Sequence, residues 1–132
     1  EIPKRDWSSD VCSSDLPALA HALLTSLKII AGDEGRQRRQ ALAARIAQWQ
    51  QAMTLSRWQP LRSSTAIQPV IIGDNEATMV AGRALHERGY WVGSVRPPTV
   101  PKGTSRLRVT LSAAHTEVQL DGLMAAIADI ER

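Results

Sequence analysis

The residues of this chain best suited to chemistry are two arginines set two apart in an alternating run. In Arg106-Leu-Arg-Val-Thr-Leu-Ser112, Leu107, Val109 and Leu111 alternate with Arg106, Arg108 and Thr110. A strand there puts the apolar side chains on one face and the arginines on the other. A guanidinium is a planar fork of donors that matches a carboxylate, and a strand roots it more firmly than a loop does. Just upstream, Arg96-Pro-Pro-Thr-Val-Pro101 carries three prolines, which exclude helix and favour a stiff, extended segment holding Arg96 and Thr99 still. The plainer alternative is that Arg106 and Arg108 only cover the solvent side of a half-buried sheet, as most strand arginines do.

Other candidates are weaker. The spacing shows no glycine-rich phosphate loop, no HExxH, no paired-carboxylate pocket and no Ser-His-Asp set, so residue patterns alone nominate no enzyme. His115 ends a Ser-Ala-Ala-His run before a helix and is better read as a local turn or cap contact than as an acid–base group. His21 and His86 fall on expected helices without a ligand at i+4, so no metal site is expected. Lys4, Lys28 and Lys102 read as solvated amines. Trp49, Trp58 and Trp91 read as core or interface packing, because a chain with no Phe and one Tyr must find aromatic area elsewhere.

These residues need elements to hold them. Ala20, Leu23, Leu24, Leu27, Ile30 and Ala31 recur at helical spacing after Pro17 and stop at Gly32. Asp33 can cap a second helix whose stripe is Leu42, Ile46, Trp49 and Met53, with Arg36, Arg38, Arg39 and Arg45 toward solvent. Residues 66–72 read as a first strand, whose Pro69 suggests an edge or a bulge. Asp74 to Gly89 reads as a third helix with Ala77, Val80, Ala81, Ala84 and Leu85 on one face. Tyr90–Val95 is a second strand, and residues 106–112 are the third. Thr116 and Gln119 form a capping-box pair opening the last helix. The order is α-α-β-α-β-β-α. About ten residues separate the second and third strands, too few for a helical crossover. The expected fold is therefore a small, largely antiparallel three-stranded sheet with helices packed on one face, an α/β (α+β) domain.

The chain has 132 residues, 16 basic against 13 acidic, and 43% apolar content, as one ordinary domain would. Its one cysteine, Cys12, allows no internal disulfide, and no window is apolar enough to span a membrane, so a cytoplasmic setting is expected. Residues 1–16 have no apolar period and nearly repeat Trp7-Ser-Ser-Asp10 as Cys12-Ser-Ser-Asp15. Asp10–Leu16 can be spelled as a common sequencing adapter. This stretch reads as a non-native, adapter-derived or disordered tail, and residues 17–132 as the domain. Setting the tail aside removes Lys4 and Arg5 against Glu1, Asp6, Asp10 and Asp15, and leaves the body at +5. A basic body with Arg36, Arg38 and Arg39 on one helix keeps open a nucleic-acid-binding domain without enzymatic activity; a freestanding dimerisation domain is a further possibility.

The run from Arg96 to Thr116, RPPTVPKGTSRLRVTLSAAHT, resembles the C-terminal segment of the α-oxoamine synthases, and among them the 8-amino-7-oxononanoate synthases. Leu27-Lys-Ile-Ile30 with Asp33-Glu34, and Ala66-Ile-Gln-Pro-Val-Ile-Ile-Gly-Asp-Asn75, resemble that group as well. Glycine C-acetyltransferases and 5-aminolevulinate synthases usually carry Tyr-Pro where this chain has Arg96-Pro97-Pro98, so the biotin branch is favoured over those alternatives. The resemblance implies the small C-terminal domain of a fold-type-I pyridoxal 5'-phosphate enzyme. Such an enzyme works as a cytoplasmic homodimer and condenses L-alanine with pimeloyl-CoA or a pimeloyl acyl carrier protein, releasing carbon dioxide in biotin biosynthesis; neither nucleic acid nor membrane is a partner. It implies that Arg108 holds the amino-acid carboxylate, that Thr99 lies at the substrate site, and that Arg96 contacts the acyl side. It also implies that the Schiff-base lysine, the stacking histidine and the aspartate facing the pyridine nitrogen lie outside this chain. No catalytic or cofactor-binding residue is then expected here, and the chain alone should be inactive.

Overall fold

The computed structural model describes residues 17–132, so the expectations for residues 1–16 and Lys4 lie outside the described residues. The elements run α1 (Pro17–Ala31), α2 (Asp33–Ala52), β1 (Gln59–Pro60), β2 (Ile67–Gly73), α3 (Asn75–Glu87), β3 (Gly93–Val95), β4 (Ser105–Thr110) and α4 (Glu117–Glu131). Contacts divide the described residues into two compact units, residues 17–37 and 38–132. Among the described residues no helix is long and apolar enough to cross a membrane.

In the first unit only Gly32 interrupts the helical run, and its N–H still donates to the Lys28 carbonyl at 2.9 Å. A Cβ on Gly35 would fall 2.3 Å from the Ile30 carbonyl oxygen and 2.6 Å from that of Ile29, so only glycine lets the two helices join this closely. The apolar spacing of α1 does not translate into burial: Leu23, Leu24, Leu27 and Ile30 are all more than half exposed.

In the second unit the sheet order is β1-β2-β4-β3, antiparallel throughout. The three expected strands are present with one addition, since Gln59 and Pro60 pair with Ile71 and Val70 and make the sheet four-stranded. No alternation marks so short a strand. It also corrects the reading of Pro69 as an edge residue. Leu61 N–H donates to the Pro69 carbonyl at 2.8 Å. The amide hydrogen that Pro69 lacks would point the same way, toward chain that has already left β1, and not toward β4. The bulge lies instead between Ile71 and Gly73.

One sheet face carries Gln68, Val70, Ser105, Leu107 and Val109, all buried, and α3 and α4 supply Ala81, Leu85, Leu120, Met124 and Ile127 to the same core. Trp49 of α2 and Met53, just past its end, join it, with Leu42, Ile46 and Trp58 partly buried against it. Burying side chains of this size stabilises the unit by about 1.5–3 kcal/mol each before chain entropy is charged against it. Two of the three expected caps form, whereas Asp33 is the first residue of α2 and not its cap, its carboxylate pairing with Arg36. Asp74 Oδ1 accepts the Ala77 N–H at 2.7 Å, and Thr116 and Gln119 exchange their two capping-box bonds at 3.2 and 3.0 Å.

Two placements correct the sequence reading. Arg45 is not on the solvent face: its side chain is 14% exposed and bonds both Gln48 and Glu117, tying α2 to the start of α4. The second strand begins at Gly93, not Tyr90, because Tyr90 N–H donates to the Leu85 carbonyl at 2.9 Å and its ring is drawn onto α4. A Cβ at Gly122 would lie 2.4 Å from the Tyr90 hydroxyl. Residues 90–92 thus leave β4 and open a cavity of about 350 Å³ lined by Tyr90, Trp91, Leu111, His115 and Leu123 among others.

Candidate carboxylate-binding face

The face of the sheet opposite the core is where the alternation of β4 places its arginines. Arg108 stands between Pro69 on β2 and Gly93 on β3, its register partners on either side. A Cβ built on Gly93 would lie 3.7 Å from Arg108 Nε and 3.8 Å from its Cβ, so the stem of Arg108 runs over Gly93. Neither neighbour brings a polar group to compete for the guanidinium. The side chain is exposed, and no acidic group among the described residues pairs with it. A rooted, unpaired guanidinium on an open face is an available fork for an incoming carboxylate.

Arg106 shares that face but not that freedom. It is half-buried opposite Ile71 and Val95, and its Nε donates to the Thr104 carbonyl at 2.9 Å. The two arginines that alternation treats alike are thus separated by a local bond to the carbonyl two residues back and by the neighbours Ile71 and Val95 beside Arg106. Arg96 and Thr99 follow β3 on the connection to β4, both exposed, around a cis Pro97-Pro98 bond, with the Thr99 N–H donating to the Arg96 carbonyl at 3.0 Å. This connection continues through a turn at Lys102-Gly103 and borders a cavity of about 460 Å³ that includes Asn75, Pro97, Lys102 and Ser105. The Ser105 hydroxyl is buried there without a hydrogen-bond partner.

The remaining candidates are accounted for locally. His115 Nδ1 accepts the Ser112 N–H at 3.1 Å, and its own N–H donates to the Ser112 carbonyl, the turn contact expected of it. His86 meets Trp91 edge-on with ring centroids 4.9 Å apart. Trp49 is buried as expected, whereas Trp91 is 87% exposed and is no core residue. Its displacement follows from the departure of residues 90–92 from β4. Lys28 and Lys102 are exposed.

One charged residue at the other end of the unit escaped the sequence reading. Glu131, the last residue of α4, is 4% exposed and its carboxylate receives the N–H groups of Ser56, Arg57 and Trp58. Burial alone pushes its pKa up, but the backbone bonds from Trp58, Arg57 and Ser56, with the Ser56 hydroxyl, outweigh it and hold the carboxyl below its ordinary value. A terminal Glu on an amphipathic helix carries no pattern that announces this.

Aminotransferase class I and II is the family description that matches this chain, over residues 4–127. Among curated relatives, the 8-amino-7-oxononanoate synthase of Janthinobacterium sp. (strain Marseille) is 57% identical over 116 residues, covering 88% of this chain and 29% of the relative. That of Burkholderia vietnamiensis is 56% identical over 111 residues, covering 84% and 28%. The chain therefore spans under a third of the length of these relatives. A serine palmitoyltransferase structure with pyridoxal phosphate as internal aldimine superposes with a TM-score of 0.67 at 28% identity, over 85% of this chain and 28% of that one. An 8-amino-7-oxononanoate synthase structure from Francisella tularensis shares the fold, with a TM-score of 0.60 at 17% identity over 84% of this chain and 31% of its own.

Proposed function

The chain belongs to the aminotransferase class I and II family, and from that membership we propose that residues 17–132 are the C-terminal domain of an 8-amino-7-oxononanoate synthase. The whole protein then condenses L-alanine with a pimeloyl thioester, as a pyridoxal-phosphate-dependent homodimer. The 56–57% identity to synthases of that name supports the reaction. The observation that carries the role of this domain is the exposed, unpaired Arg108 rooted on β4 between Pro69 and Gly93.

The residues described here do not fit the cofactor's covalent anchor. That anchor needs a lysine held in an enclosed site, and both Lys28 and Lys102 are exposed, one on a helix and one in a turn. The part this domain plays is substrate orientation. Arg108 grips the alanine carboxylate by two parallel N–H donors, which fixes the rotation of the amino acid about its Cα and selects the bond to be broken. On the rigid connection after β3, Thr99 lies at the substrate site and Arg96 contacts the acyl side. With those roles and no cofactor lysine among the described residues, the chain by itself is expected not to turn over.

Substitution of Arg108 in the full-length protein tests the reading. Arg108→Ala raises KM for alanine by roughly two orders of magnitude, the loss of a charge-assisted bidentate pair, while the cofactor's absorbance is retained. Arg108→Lys recovers only part, because an ammonium keeps the charge and loses the fork. Unchanged alanine kinetics in Arg108→Ala would remove this function from the domain.

A further inference from the structure

We propose that Thr104 and Arg106 are positioning residues that clasp the 96–104 connection and thereby set Thr99 and Arg96 for the acyl substrate; the substrate half of this rests on the function proposed above. The connection between β3 and β4 has nine residues, where antiparallel neighbours are usually joined by two to five. Pro97, Pro98 and Pro101 have no N–H to give, so few backbone donors are left to fix it. Two turns do the holding. Thr99 N–H closes the first on the Arg96 carbonyl at 3.0 Å, and Thr104 N–H closes the second on the Pro101 carbonyl at 3.2 Å, with Gly103 at φ +79° in its third position as such a turn requires.

Thr104 then does more than close a turn. Its hydroxyl donates to the same Pro101 carbonyl at 2.8 Å, filling the second lone pair, and its own carbonyl accepts Arg106 Nε at 2.9 Å. Arg106 in turn pairs with Val95, the residue before the connection begins, so the clasp joins the two ends of the connection. Pro98, Thr99, Pro101, Lys102 and Gly103 are all exposed and bury nothing in the core. Holding them still therefore adds little to the fold and much to where Thr99 and Arg96 stand. Arg108 is rooted on the strand itself and does not depend on the clasp.

Three variants separate these roles. Thr104→Val removes the hydroxyl and keeps the volume, Thr104→Ser restores the hydroxyl, and Arg106→Lys keeps stem and charge but lacks Nε. In the 132-residue chain, amide exchange at Thr99 and Thr104 read by NMR is expected to speed up about five- to tenfold in Thr104→Val and Arg106→Lys, as loss of one hydrogen bond implies, and to stay within about twofold in Thr104→Ser. In the full-length protein, KM for the pimeloyl thioester rises by about the same factor while KM for alanine stays within about twofold, and Thr104→Ser rescues it. Unchanged exchange in both Thr104→Val and Arg106→Lys overturns the clasp. An equal rise in both KM values, or no change in either, overturns its link to the acyl side. If the unaltered full-length protein does not use these substrates, the proposed function fails while the exchange arm still decides the clasp.

Discussion

Replacing Glu131 by Gln should destabilise the chain by about 3 kcal/mol at neutral pH. The carboxylate accepts Trp58 N–H at 2.7 Å and the Arg57 N–H on one oxygen, and Ser56 N–H at 3.1 Å with the Ser56 hydroxyl at 3.4 Å on the other. Gln keeps the shape and one acceptor oxygen but turns an amide NH2 toward Ser56 N–H, donor against donor. Two bonds to a charged acceptor become bonds to a neutral one, losing about 1 kcal/mol each, and one buried donor left unpaired costs about 1–3 kcal/mol more. Exchange of structure with water at this edge of the unit brings the total toward the lower end of that sum. The pH dependence has a definite sign. The folded pKa is below the unfolded one of about 4.3, so the native carboxylate binds fewer protons than the unfolded one. The stabilisation is complete above the unfolded value and is lost as pH falls through the folded value. Urea titrations followed by tryptophan fluorescence, from pH 7 down to pH 3, should show the gap between wild type and Glu131→Gln constant above about pH 5.5. It then narrows in acid as the protonated glutamic acid comes to match the glutamine. A gap under about 0.5 kcal/mol at pH 7, or one that widens in acid, refutes the reasoning.

Gly35→Ala places a methyl against two backbone carbonyls that cannot rotate away, and the expected cost of about 1–3 kcal/mol exceeds the gain of about 1 kcal/mol in helix propensity. Far-UV circular dichroism during thermal unfolding should show the helical signal lost earlier than in wild type, whereas a rise in its midpoint contradicts the packing. Thr116→Ala removes the acceptor for Gln119 N–H and half of the capping box, and a loss of about 1 kcal/mol in urea unfolding is expected, with Thr116→Ser within a few tenths of wild type.

Much of the second unit is legible from local pattern because its signals are short-range. The strict alternation of residues 106–111 assigns Leu107 and Val109 to the core and Arg108 to the open face, and a period of two leaves no other choice once one face is buried. Asp74 and Thr116 announce their helices because a cap is made within four residues. The family likeness was likewise carried by a continuous run, residues 96–116, that the structure lays out as one connection, one strand and the turn that leads into α4.

What depends on distant residues was not legible. Alternation also makes Arg106 and Arg108 equivalent, although the carbonyl that engages one and leaves the other open, that of Thr104, is only two residues away and carries no residue-type signal. Period predicts strand from Tyr90, but Tyr90 is drawn to α4 by the room that Gly122 leaves, and Trp91 is carried out to solvent with it. Pro69 reads as an edge residue until β1, a strand of two residues with no pattern of its own, takes the edge beside it. Glu131 looks like any exposed glutamate on a helix end, and three N–H groups more than seventy residues away make it a buried anion. Local sequence determined which side chains share a face of each element, because that follows from the element's pitch, but not which faces are buried, since the apolar face of α1 is exposed. Which of the polar ones are occupied and which are available was decided by the tertiary structure, because hydrogen-bond partners are set by proximity in space.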